Sequence, residues 1–216
     1  MYLAIEGVIG VGKTTLARLL QPAFRASLLL EVFEENPFLG SFYADRERYA
    51  FQTQMFFLLS RYQQQKKGVL QAFSDGENLI SDYTFEKDAL FARINLKGDE
   101  LDMYYRVHEA LAEKIQRPDL TVFLRADTDL LLQRIALRDR PYERDMDPNY
   151  IEQVNEAYNN HFLSGSYTHP LLVIDTNHLD YVRYPEDLHW VENRIRQALQ
   201  LPPFQPELPL PSHDHE

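Results

Sequence analysis

The sequence predicts an α/β fold, a parallel sheet of about five strands flanked by helices, and three observations predict it. Short apolar runs alternate with longer stretches of helical pattern, as parallel neighbours require because helical crossovers join them. The first run empties into a glycine-rich loop that is followed at once by helix formers. The chain has 216 residues, which suits one domain with a two-faced core, and 44% of them are hydrophobic, far from the composition of a disordered chain.

In chain order, the expected strands are YLAIE at the start, SLLLEV near 30, NLISD near 80, LTVFLRA near 122 and LLVID near 173. Between them, residues 45–73 are mostly helix formers, and GDELDMYYRVHEALAEKI opens with an acidic first turn that suits a helix N-terminus. A further helix is expected over 128–138. It stops at the charged RDRPYERDMDP, read as an exposed, mobile loop, and helix resumes at Pro148. Residues 1–201 are taken as the folded domain and 202–216 as a proline-rich, disordered tail, because proline density opposes helix.

Acidic residues outnumber basic ones by 33 to 22, giving a net charge of −11, which argues against nucleic acid or an anionic membrane as a partner. An anionic ligand must then be captured by local geometry. There is no cysteine, so no disulfide or cysteine-ligated metal. Seven histidines, His213 and His215 among them, show no metal-site spacing. Without a signal-peptide pattern or an apolar run of about 18 residues, a cytoplasmic protein is expected.

The glycine-rich loop, Gly7-Val8-Ile9-Gly10-Val11-Gly12-Lys13-Thr14, matches G-x-x-x-x-G-K-[ST] between a strand and a helix. In that context, the backbone from Gly7 through Gly10, Val11 and Gly12 to Thr15 can wrap phosphate oxygens. Lys13 can bridge the terminal phosphates and Thr14 can ligate magnesium. A nucleoside triphosphate, ATP, is the expected ligand with Mg2+. A guanine-reading N-K-x-D segment is absent, since DTNHLD follows the last strand, so a GTPase is not expected.

Five segments, EGVIGVGKTTL, EVFEENPFLGSFY, FQTQMFFLLSRYQQ, SDYTFEKDALFARINL and LLQRIALRDRPYE, occur in an order and spacing that resemble the deoxynucleoside kinase family, especially its bacterial deoxyadenosine and deoxyguanosine members. The resemblance covers about residues 1–182 and implies a P-loop kinase fold with a mobile arginine lid. It implies Glu31, at the end of the second strand where ligands bind open parallel sheets, as the base for a deoxyribose 5′-hydroxyl. Glu34 and Glu35 are rival acids, better read as a solvated pair. Gln54 and Arg61, seven apart on one helix face, are assigned to the nucleobase, with Asp88 pairing that arginine or the base. Tyr43 matches the tyrosine that bonds the 3′-hydroxyl. Counting from Asp88 puts the base-stacking slot on Ala92, whereas aligning on Phe91-Ala92 moves the acid to Lys87; Asp88 and Phe91 are retained.

Asp82 is the expected magnesium partner. The family's D-R-S reads Asp82-Tyr83-Thr84 here, which removes one phosphate-facing cation. Arg134, Arg138 and Arg140 match the lid, whose R-G-R has Asp139 in place of glycine, and Glu143 matches the lid acid that holds the 3′-hydroxyl. Converging arginines stabilise charge spread over a transferring phosphoryl group. Asp180 and Tyr181 fall where the family has its adenine-side loop. The expected reaction is transfer of the ATP γ-phosphate to a deoxynucleoside, deoxyadenosine or deoxyguanosine, with deoxycytidine as another acceptor. A nucleoside monophosphate kinase and a nucleotide-dependent binding module are the alternatives. The apolar surface of the helices from about 45 and 98 suggests a homodimer, as the resemblance implies.

Overall fold

The computed structural model describes residues 1–144 and 146–203, without the side chain of Glu34; most of the expected tail, with His213 and His215, lies outside the described residues. Five parallel strands form one sheet: β1 (Tyr2–Gly7), β2 (Ala26–Leu29), β3 (Asn78–Ser81), β4 (Leu120–Arg125) and β5 (Leu171–Asp175), in the order β2-β3-β1-β4-β5. β1 lies at the centre and is buried along its whole length, as a parallel strand covered on both faces must be. Its side chains alternate between two clusters. Leu3 and Ile5 meet Leu16 and Leu20 of α1 (Lys13–Phe24), while Tyr2 and Ala4 meet Val69 and Ala72 of the long helix.

The remaining helices are α2 (Leu39–Ala44), α3 (Arg46–Ser74), α4 (Glu86–Asn95), α5 (Gly98–Ala112), α6 (Thr128–Arg138), α7 (Pro148–Leu163) and α8 (Pro185–Ala198). The Asp45 side chain caps α3 by accepting from the Arg48 amide at 3.3 Å, and Asp147 caps α7 through Asn149 at 2.9 Å with proline at the first helical position. The sequence patterns do not single out α2, α4 or α8 as helices. α8 nonetheless carries a start signal, Pro185-Glu186-Asp187.

Two expectations change. β2 ends at Leu29, so Glu31 stands two residues beyond the strand. The segment after α6 is more than an exposed loop: Pro141–Glu143 form a 3-10 turn, and Glu143 is buried. Among the described residues no helix is long and apolar enough to cross a membrane.

Candidate active site

The loops that leave β1, β2 and β3 meet at the carboxyl end of the sheet around a cavity of about 300 Å3. Gly10, Gly12, Lys13, Thr14 and Thr15 line it, while Gly7 and Val11 pack behind. Gly12 sits at φ 103, and a Cβ there would collide with the Tyr181 hydroxyl, so only glycine fits. The Lys13 ammonium donates to the carbonyls of Gly7 (2.7 Å) and Val8 (3.0 Å), lying across the loop it serves. Burial, and secondarily the charge of Lys87, lower its pKa to about 8.

Asp82, directly after β3, joins the glycine-rich loop to the segment that follows β2. Its Oδ2 accepts from the Thr14 hydroxyl at 2.5 Å and its Oδ1 from the Glu31 amide at 2.8 Å. A buried carboxylate beside a threonine hydroxyl in a phosphate-binding loop is an all-oxygen donor pair that suits magnesium, which takes few protein ligands when phosphates supply the rest. No cluster of three or more acidic, histidine or cysteine ligands occurs among the described residues.

Glu31 faces the cavity with both carboxylate oxygens engaged. Oε1 accepts from Arg61 Nε at 3.0 Å and pairs with Nη2, while Oε2 accepts from the Lys87 ammonium at 2.5 Å. Burial opposes ionisation of Glu31, yet Arg61 and Lys87 together outweigh it and hold its carboxyl well below the usual carboxylate range. Arg61 reaches Asp88 with Nη1, and its guanidinium lies 4.4 Å from the centre of the Phe57 ring. Asp88 is fully buried and does not line the cavity, so of its two expected partners the structure gives it the arginine.

The register between Asp88 and Phe91 follows from the helix. Lys87 and Phe91, one turn apart on α4, both line the cavity, whereas Asp88 and Ala92 are buried behind them. Gln54 is 2% exposed, lines the cavity, and its carboxamide oxygen has no hydrogen-bond partner. A buried acceptor without a partner is a costly arrangement, and it belongs to a residue of the cavity wall. Tyr43 also lines the cavity, its ring parallel to that of Tyr142 at 6.3 Å, with burial raising its pKa.

Over this pocket lies the segment that follows α6. Arg138 makes a bidentate pair with Glu143 (2.6 and 2.7 Å from Nη2), and Arg140 approaches the same carboxylate at 3.7 Å while its guanidinium covers the Phe33 ring at 3.9 Å. Asp139 adopts left-handed backbone at φ 50, a conformation that explains a glycine in the R-G-R pattern and that aspartate tolerates. Its carboxylate is tied to Arg144 at 2.7 and 2.8 Å, which lowers its pKa.

Besides Gly7, Val11 and Asp88, three more sequence-expected residues do not line the cavity: Arg134, Asp180 and Tyr181. Arg134 Nη1 donates to Val11 carbonyl and Thr176 hydroxyl, both at 3.2 Å, and Nη2 to Thr176 carbonyl at 3.1 Å, so the guanidinium staples the phosphate loop to the end of β5 instead of standing free for a phosphate. Tyr181 donates to the Val11 and Gly12 carbonyls at 3.4 and 3.3 Å. Asp180 accepts from the amides of Val182 and Arg183 and shapes its own turn. Lys87, Phe33 and Phe57 line the cavity without having been assigned a role from sequence. Lys87 had a signal, as the rival register for the acid; Phe57 had none, since an aromatic in a helix-forming segment reads as core, and Phe33 had none, since it directly follows an apolar strand.

A family model described as deoxynucleoside kinase matches residues 3–200. A deoxyguanosine kinase of Bacillus subtilis is 30% identical over 92% of this chain and 97% of its own length. A deoxyadenosine/deoxycytidine kinase of the same organism is 29% identical over 90% of each chain. Among solved structures, a deoxyadenosine kinase from M. mycoides with the products dCMP and dCDP bound superposes with a TM-score of 0.79 at 25% identity, covering 91% of this chain and all of that one.

Proposed function

The chain belongs to the deoxynucleoside kinase family, and from that premise we propose that it transfers the γ-phosphate of ATP to the 5′-hydroxyl of a purine deoxynucleoside, deoxyadenosine or deoxyguanosine, in the cytoplasm. The observation that carries the reading is the ionised Glu31, held by Arg61 and Lys87 in the same cavity as the phosphate loop and the unpartnered Gln54 oxygen. A neutral sugar hydroxyl needs a proton acceptor, and a base needs a hydrogen-bonding edge; both are present. Residues 1–201 carry the activity.

In the reaction, the 5′-oxygen bonds to the γ-phosphorus, the bond from that phosphorus to the ADP oxygen breaks, and the hydroxyl proton passes to Glu31. Arg61 and Lys87 keep the Glu31 carboxyl ionised and so able to accept that proton as the O–P bond forms. Gln54 and Phe91 orient the base, Tyr43 and Glu143 the 3′-hydroxyl, while Arg61 and Asp88 fix the angle of Glu31. Lys13, Arg138 and Arg140 oppose the charge that spreads over the equatorial oxygens. Magnesium, held through Thr14 and Asp82, would neutralise the terminal phosphates.

We propose also that the chain pairs with a second copy through α3 and α5, which leave Leu59, Leu70 and Met103 exposed. Sedimentation at micromolar concentration should give twice the chain mass; a monomer would refute the pairing. For the reaction, labelled ATP with magnesium is supplied with each of the four deoxynucleosides. Labelled monophosphate should form fastest from a purine. Failure to label any of the four would overturn the reading.

A further inference from the structure

The segment where the family carries an arginine has none here, and Tyr83 occupies that place without lining the cavity. It is fully buried, and its hydroxyl donates to Gln64 at 3.0 Å. One helical turn further on, Lys87 reaches the cavity instead. Its side chain is 7% exposed, and among the described residues its ammonium donates to one partner, Glu31 Oε2. A buried ammonium is costly, and an apolar side chain of similar length would fill the same space without that cost, so the charge calls for a reason.

Charge balance supplies one. Two carboxylates, Glu31 and Asp88, face two cations, Arg61 and Lys87, so the buried network is neutral at rest. Arg61 is shared between both carboxylates, whereas Lys87 holds one and keeps two donor hydrogens in reserve. When the 5′-hydroxyl proton passes to Glu31, that carboxylate becomes neutral and the network is left with one positive charge. This happens as the O–P bond forms and the bond to ADP breaks. The charge then stands next to the phosphoryl group that has just arrived. Lys87 and Lys13 both line the cavity, close enough that the charge of Lys87 helps to lower the Lys13 pKa.

We infer that Lys87 is a catalytic cation, released from Glu31 as that residue takes the proton and passed to the transferring phosphoryl group, and that it supplies from α4 the charge missing at Tyr83. The inference rests on the kinase reading above.

The test measures kcat, KM and deoxynucleoside Kd for the wild type and for Lys87→Met, Lys87→Arg and Lys87→Ala, with ATP, magnesium and the best acceptor from the panel. Lys87→Met should lower kcat about 100-fold while nucleoside Kd stays within about threefold, because the contact strengthens only in the transition state. Lys87→Arg should keep more activity than Lys87→Met, and methylammonium or propylammonium should raise the kcat of Lys87→Ala by about tenfold or more. A purely structural lysine would not respond to added amine. Near-wild-type kcat in Lys87→Met, a loss confined to Kd, or no amine response would overturn the role of Lys87 while an active wild type left the kinase reading standing. A wild type inactive on every deoxynucleoside would overturn both. If Lys87→Met fails to fold, the comparison of Lys87→Arg with Lys87→Gln decides, and equal kcat in that pair refutes the inference.

Discussion

The two sides of the cavity are built from the same kinds of charge and differ in how those charges are held. On the acceptor side, Glu31, Arg61, Asp88 and Lys87 form a buried network in which the cations have side-chain exposures of 5% and 7% and Asp88 has none. On the lid side, Arg138 and Arg140 are 34% and 31% exposed and both lean on the single carboxylate of Glu143. Burial removes competing water, so the first network is rigid and costly to break. The arginines of the second are about a third exposed, so a phosphate can compete for them, while Glu143, only 4% exposed, then needs another donor such as a sugar hydroxyl. We propose from this that the acceptor site is assembled before substrate arrives, and that Arg138 and Arg140 rest on Glu143 until an incoming anion competes for them. Motion of the lid, closing once ATP is bound, is what that difference proposes.

The largest effect should come from the centre of the rigid side. Glu31→Gln should lower kcat by about 100-fold or more with ATP affinity within about twofold, measured by steady-state kinetics and calorimetry. An unaltered kcat would remove the proton acceptor from the scheme. Next, Asp88→Ala should destabilise the fold by about 3 kcal/mol, because it leaves Arg61 with one carboxylate in place of two inside the protein. Denaturant titration reads this directly, and a loss near zero would mean that the acceptor side is no more rigid than the lid.

Arg140→Ala should separate the two sides most clearly. Its expected cost is about tenfold in kcat, with a melting temperature close to the wild type, since Arg138 keeps Glu143 paired. A large stability loss together with the kinetic one would break the comparison. The smallest effect concerns pH. His108, stacked on Phe85 at 4.8 Å, has its pKa lowered by burial, so below about pH 6.5 the unfolded chain binds a proton that the folded chain does not. Stability should therefore fall as pH drops from 7.5 to 5.5, and His108→Phe should flatten part of that slope. His161, also lowered by burial, retains some of it. Identical slopes in wild type and variant would show that His108 titrates normally.

Much of this molecule was legible from local pattern. The five strands and the helices at 46–74, 98–112, 128–138 and 148–163 follow from alternation, acidic first turns and proline at a helix start. These signals act over a few residues, and the chain obeys them wherever nothing distant competes. The phosphate loop was equally legible, because its glycines, lysine and threonine are adjacent in sequence and its strand-to-helix context is local. Gln54 and Arg61 were placed on one face by helical rotation, and both line the cavity.

What sequence left open were choices among partners far apart in the chain. Arg134 and Arg138 read alike, one turn apart on α6, yet Arg134 is drawn to carbonyls of Val11 and Thr176 while Arg138 faces the cavity. Asp88 and Lys87 are neighbours, and only the packing of α4 decides that the acid is buried behind Arg61 and the lysine reaches Glu31. By itself, therefore, the sequence determined the parallel α/β fold, the triphosphate cradle and the family. The tertiary structure decided which charges face the cavity and which are spent on backbone. Hydrogen bonds and ion pairs are directional and short, so their partners depend on how helices and loops pack, which no periodicity in the chain records.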